Sequence, residues 1–226
     1  MFLVLTAAAF AAEPTPPLTS EMHARFFTLT AARDAVIQGK LAEAKSTIKP
    51  LAVRDPGEPF PADWRPWVIK VEAAALKVAE APDLASAAAG VAKVASACAD
   101  CHTATNGGPS VTGAEDVPAQ AWQPGQNMPL HRWAVDWMWL GLLAQSDEAW
   151  LRGASELDRQ PLAPKFENAP PPSGMQQLEQ LVYVLANKAE TTTAPADRTE
   201  LFGNLLATCS QCHVLRPAKP VKPGAP

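Results

Sequence analysis

Two short runs hold the residues with the most distinctive chemistry. Cys98-Ala99-Asp100-Cys101-His102 sets two thiols three positions apart, with an imidazole directly after the second. Cys209-Ser210-Gln211-Cys212-His213 repeats the arrangement. On a helix, residues three apart share a face. Two such thiols can each form a thioether to a haem vinyl group, while the adjacent imidazole meets the iron from the same side. Competing chemistries place the pair differently. Zinc ribbons use two C-x-x-C pairs about 15–20 residues apart, whereas Cys98 and Cys209 are separated by 111 positions. A thioredoxin-type pair opens a helix, where the dipole lowers a thiol pKa; here each pair closes a segment of helical pattern. The two motifs consume all four cysteines of the chain. Two c-type haems are therefore expected, with Cys98, Cys101, Cys209 and Cys212 as thioether donors and His102 and His213 as proximal iron ligands.

The histidine inventory bears on the far side of each iron. Of four histidines, only His23 and His131 lie outside the motifs. Each opens a helical segment, and each motif closes one. In an up-down-up-down bundle the first and fourth helices are antiparallel neighbours, so the start of one meets the end of the other. Topology thus brings His23 toward His102 and His131 toward His213, and both are candidate distal ligands. From His131, helical steps reach Ala134, Val135, Met138 and Leu142, an unbroken apolar face. From His23 they reach Phe26, Phe27, Thr30 and Ile37, with Asp34 interrupting. A lone histidine on such a face is more often structural than a ligand, but these two occupy matching places in a repeat. Met22 and Met128 are the alternative distal donors.

The elements that must position these groups are helical. Of the 23 prolines, all but Pro82 and Pro195 cluster at 14–17, 50–66, 109–129, 161–172 and 217–226, and between them the chain is rich in Ala, Leu, Glu and Lys, which favour helix. Helices are expected near 19–38, 41–52, 64–80 and 83–103, then near 129–145, 147–158, 174–190 and 196–215. No alternating strand pattern occurs, so the expected class is all-α. Pro50-Leu51-Ala52 recurs as Pro161-Leu162-Ala163 at the same 111-residue offset as the cysteines, which points to an internal duplication. The reading is two tandem four-helix-bundle haem domains over 18–108 and 127–217, joined by a linker at 109–126. Residues 1–17 read as a signal-peptide remnant and flexible start, and 218–226 as a proline-rich tail. The apolar run at 2–10 ends in Ala9-Phe10-Ala11, an A-x-A arrangement that predicts export to a bacterial periplasm or the cell exterior. The preceding positions on the motif faces are apolar: Ala95, Val94 and Val91 before Cys98, and Leu206, Leu205 and Phe202 before Cys209.

Composition narrows the partners. With 47% hydrophobic residues, 19% charged residues and a net charge of −4, the chain has a substantial core and no basic field for nucleic acid. No run of 18 apolar residues predicts a membrane span. The tryptophans at 64, 67, 122, 133, 137, 139 and 150 and the single Tyr183 are read as packing groups.

Helix count and motif placement resemble class II c-type cytochromes, the cytochrome c′ and c-556 group. In that family a four-helix bundle carries C-x-x-C-H near the end of its last helix, and the resemblance covers each half of this chain once. The c-556 branch takes a methionine from the first helix as distal ligand, which keeps Met22 and Met128 open; the c′ branch leaves the distal side apolar and open. A distal histidine departs from both. Members commonly carry a basic residue four positions after the motif histidine, where this chain has Asn106 and Pro217, with Arg216 one place early. The family also usually holds one haem.

The expectation is an exported dihaem c-type cytochrome that carries electrons between redox proteins through bis-His, low-spin haems, and not an enzyme. A homo-oligomer is compatible with this reading. The alternative is a haem enzyme or a gas-binding or sensing cytochrome with at least one open or opening distal position.

Overall fold

The computed structural model describes residues 16–53, 60–111, 128–159 and 172–215. They form eight α-helices and one short 3-10 turn, Ala62–Trp64, with no strand among them. The helices are α1 (Pro16–Ile37), α2 (Leu41–Ala52), α3 (Arg65–Ala79), α4 (Leu84–Thr105), α5 (Met128–Leu143), α6 (Asp147–Arg159), α7 (Met175–Thr191) and α8 (Pro195–Leu215). The all-α expectation holds, and every expected helix is present within three residues at each end. Residues 1–15, 112–127 and 216–226 lie outside the described residues, and with them most of the expected leader and linker and the expected tail. Pro161-Leu162-Ala163 also lies outside them; its counterpart Pro50-Leu51-Ala52 closes α2.

Local rules explain the helix ends. Asp83 caps α4, its carboxylate accepting from the Ser86 N–H at 2.7 Å, and this contact lowers its pKa. At the other end, the Gly107 N–H donates to His102 O at 2.9 Å and the Asn106 N–H to Thr103 O at 3.3 Å. That pair of hydrogen bonds is a Schellman stop, and it needs a left-handed residue. Asn106 supplies it, at φ 49°. Position 106 is thus a helix terminator.

Within each half, consecutive helices pack as neighbours: α1 on α2, α2 on α3 and α3 on α4, then α5 on α6, α6 on α7 and α7 on α8. The halves are joined most extensively through their motif helices, since α4 packs along α8. The crossing is close because it is lined by small residues. A side chain at Gly203 would stand 3.1 Å from Ala89 Cα, and Ala88, Ala92 and Ala95 are fully buried on α4. One hydrophobic core therefore runs through both halves, from Leu29 and Ile48 to Trp150 and Phe202. Helix α1 also touches α8, and α4 touches α5.

Ion pairs add a second tie between the halves. Arg33 on α1 is 1% exposed, and its Nη2 lies 2.6 Å from both Asp34 Oδ1 and Asp136 Oδ1 of α5. Arg132 of α5 returns to Asp34 Oδ2 at 2.7 Å, and the Arg33 guanidinium sits over the Trp139 ring, 5.3 Å from its centroid. Trp139 in turn stacks on Phe202 of α8, with centroids 5.7 Å apart, and donates through Nε1 to Thr30 at 3.2 Å. A buried guanidinium is tolerated only with partners, and here both carboxylates face it.

Helix α4 is long and apolar enough, by length and composition alone, to cross a membrane. Its apolarity is that of a core helix: nine of its residues are buried against its neighbours. Helices α5 and α6 meet through glycines. A Cβ at Gly141 would lie 2.5 Å from the Trp150 backbone N, and backbone cannot swing aside as a side chain can. Gly141→Ala is expected to cost about 1–3 kcal/mol, the usual range for overpacking, measurable as a lowered midpoint in denaturant unfolding. The same change at exposed Gly107, with only the Thr105 hydroxyl nearby at 3.5 Å, should cost less.

Candidate haem-binding sites

Both motifs occupy the last two turns of a helix. Cys98 and Cys209 pack against the core, with Cys101 and Cys212 partly exposed beside them, and all four thiols are free. Burial pushes the Cys98 thiol up to about 12, partly opposed by the positive charge of Arg25 and reinforced by Cys101. Burial likewise pushes Cys209 up to about 12, with Cys212 adding to the effect. Cys101 is raised by burial, and Cys212 by burial and the nearby Glu179. A reactive redox thiol needs the reverse environment, with a positive charge or helix N-terminus holding the thiolate. These four stand at helix C-termini, where the dipole opposes negative charge. They are neutral thiols set i, i+3 on one face, as thioether formation requires.

The apolar positions before each motif are placed as expected. Val91, Val94 and Ala95 on α4, and Phe202, Leu205 and Leu206 on α8, are fully buried. The neighbours of the two motifs differ. Arg25 of α1, paired with Glu21 at 2.9 Å, is the charge felt by Cys98, so the early turns of α1 do lie near the α4 motif. Cys212 instead meets α7, its Sγ 3.2 Å from Met175 Sδ.

The motif histidines are also held differently. His102 is partly buried, and its Nδ1 lies 3.4 Å from the Leu143 carbonyl at the end of α5. Burial lowers its pKa, while that carbonyl works in the opposite direction. Gly108 closes over the same ring: at φ 97°, its missing Cβ would stand 2.5 Å from His102 Cγ. Together with Ala144 and Asn106, these residues line a recess of about 350 Å³ beside the imidazole. His213 is partly buried, and burial lowers its pKa.

The two remaining histidines contrast sharply. His131 is 7% exposed, and neither Nδ1 nor Nε2 has a hydrogen-bond partner. Its flanking face is buried as read from sequence, with Ala134, Val135, Met138 and Leu142 all in the core. A buried imidazole with two orphaned nitrogens costs free energy unless something binds them. Burial lowers its pKa to about 4. His23 is exposed. The buried stripe of α1 runs through Leu18, Leu29, Ala32 and Val36; at about 100° per residue, His23 is turned about 140° from its centre. Met22 and Arg25 lie nearer that stripe and are partly buried, and Phe27 is 67% exposed. Met128 is 49% exposed.

Among the described residues, no group of three or more His, Cys, Asp or Glu side chains gathers as it would for a bare metal ion. A haem iron needs only axial donors from the protein, because the porphyrin supplies the other four. The donor set fits an attached haem on that ground, and His131 supplies the orphaned buried nitrogen such a group would satisfy. The residues that sequence reasoning missed are the Leu143 carbonyl, Gly108, Arg25 and Met175. Only Gly108 had a visible signal, in the run Asn106-Gly107-Gly108-Pro109. A main-chain carbonyl has none.

Comparison with known proteins found no matching family model, no matching curated protein and no matching solved structure.

The His131 environment predicts a specific acid sensitivity. The folded state holds the imidazole neutral down to about 4, whereas the unfolded chain takes up its proton near 6.5. Stability is therefore unaffected by this group above about pH 6.5 and falls as pH drops from there to about 4, where the folded state also protonates. The loss is on the order of 3 kcal/mol over that window. Unfolding midpoints measured across it should fall for the unsubstituted chain and fall less for His131→Leu.

Proposed function

We propose that the chain is an exported dihaem c-type cytochrome that carries electrons between redox proteins. Each half, in this reading, is a four-helix bundle of the class II cytochrome kind. Cys98 and Cys101 on α4, and Cys209 and Cys212 on α8, would attach the two haems, with His102 and His213 as proximal ligands. His131 would close the second site, and His23 is the candidate at the first. When bound, the haems would supply an iron that cycles between ferrous and ferric states. The single observation that carries the reading is His131, a buried imidazole without a partner on a chain with two Cys-x-x-Cys-His helix ends. The chain's own contribution is to hold axial nitrogens in place, so that electron gain or loss needs little rearrangement, and to wrap the sites in apolar side chains that keep water out. Two nitrogen ligands leave no coordination position for a substrate, which suits a carrier better than a catalyst.

The exposure of His23 favours a second reading for the first site alone. There Met22, nearer the buried stripe of α1, or an open position would replace histidine, and that haem could bind a small exogenous ligand.

Expression with a haem-attachment system, followed by intact-mass analysis and absorption spectroscopy, tests both readings. The carrier reading expects two attached haems, low-spin spectra and no response to carbon monoxide when reduced. The second reading expects carbon monoxide to bind one haem of the two. Cys98→Ser with Cys101→Ser should halve the haem content, and His131→Ala should convert one haem to a form that binds carbon monoxide. A chain that attaches no haem, or two high-spin haems in the unsubstituted protein, would rule out the bis-His carrier.

A further inference from the structure

Helix α5 carries a candidate ligand at one end and a contact to a motif histidine at the other. Its first turn carries His131, the candidate distal ligand of the second site. Its last residue, Leu143, presents a main-chain carbonyl to His102 of the first site, at 3.4 Å from Nδ1. The two ends are about 18 Å apart, twelve residues at the helical rise. A carbonyl oxygen can only accept, so the contact requires Nδ1 of His102 to carry the proton. That fixes the tautomer and leaves the Nε2 lone pair free for a metal. The last carbonyls of a helix lack intrahelical partners and carry the negative end of its dipole, so Leu143 is a good acceptor, with no other donor to it among the described residues. Gly108 holds the ring from another side, since any side chain there would collide with the imidazole. No comparable acceptor stands at His213 among the described residues.

We propose that Leu143 is a positioning residue for the proximal ligand of the first haem, so that α5 serves both sites and the two irons have unequal axial environments. The proposal rests on the dihaem reading above. The hydrogen bond gives the imidazole of His102 more anionic character than that of His213, which favours the oxidised iron. The first haem therefore takes a lower midpoint potential than its own ligand set would otherwise give. Because the acceptor belongs to the other half of the chain, ligand loss at His131 that shifts α5 would be felt at His102.

The test uses the full haem-loaded chain with ¹⁵N-labelled histidine, in the reduced state. Intact mass is measured first. The Nδ1–H of His102 should exchange with solvent more slowly than that of His213, by about tenfold for one hydrogen bond of ordinary strength. Cys209→Ser with Cys212→Ser, which keeps only the first haem, assigns the signals. Gly108→Ala should remove the difference and raise the midpoint of the first haem while leaving the second in place. Equal exchange at the two histidines, in an unsubstituted chain carrying both haems, would overturn the proposal without any reliance on the Gly108 variant. A Gly108→Ala change that moves both midpoints equally would also overturn it. A chain without attached haem would instead overturn the dihaem reading, and this proposal with it.

Discussion

The close crossing of α4 and α8 is the contact on which the rest of the molecule is arranged. These are the two helices that end in Cys-x-x-Cys-His, and they lie against each other through glycine and alanine, with Gly203 facing Ala89 at near-backbone distance. A pair of helices approaching this closely gains dispersion contacts along its whole length, at the cost of tolerating no added volume. Everything else packs outward from that seam. The helices α3 and α7 flank it, each on its own motif helix, while α1 reaches across to touch α8 and α5 touches α4. The two motif helices are thereby fixed relative to one another by a close, small-residue seam.

Charge is placed so as to reinforce that arrangement. Arg33 would be expensive to bury alone, but Asp34 and Asp136 face it from two helices and Trp139 covers its plane. Arg198 behaves similarly at the other end of the core, donating from Nε to Thr192 O at 2.8 Å and pairing through Nη1 with Asp147 at 2.7 Å. Each guanidinium ties a helix of one contact layer to another and sits over an indole. Buried ion pairs contribute little net stability compared with apolar packing. Their contribution here is register: they favour one rotational setting of α1 against α5, and of α8 against the start of α6.

Much of this was legible from the residues. Helix positions followed from proline punctuation and apolar spacing, and the motif faces from steps of three and four, because both depend on local geometry alone. The burial of His131 was legible for the same reason, since Ala134, Val135, Met138 and Leu142 mark an uninterrupted face. His23 was harder. Its neighbours Phe26 and Phe27 suggest an apolar face, yet Phe27 is exposed and the buried stripe passes through Leu29, Ala32 and Val36 instead. Adjacent residues point about 100° apart around a helix, and the pattern does not say which of the two lies nearer the core. The pairing of α4 with α8 was not legible at all. Small residues on a helix are compatible with a close partner but do not name it, and the spacing of the two motifs gives no sign that their helices share one core. The contact of Leu143 with His102 was equally hidden, because its acceptor is backbone.

The alanine-rich surface of α4 has a further consequence, for the chain before it folds. A helix of 22 residues that must be buried on several sides would ordinarily be built from leucine and isoleucine, and would then be adhesive whenever it was unprotected. Alanine removes less apolar area from water per residue, so α4 gains its place by closeness of fit rather than by greasiness. Until its partners arrive it offers stray surfaces comparatively little to hold, and it carries two free thiols that neighbouring bulk would otherwise crowd. The small side chains that permit the tight seam in the finished molecule thus also limit mis-association while the seam is still open.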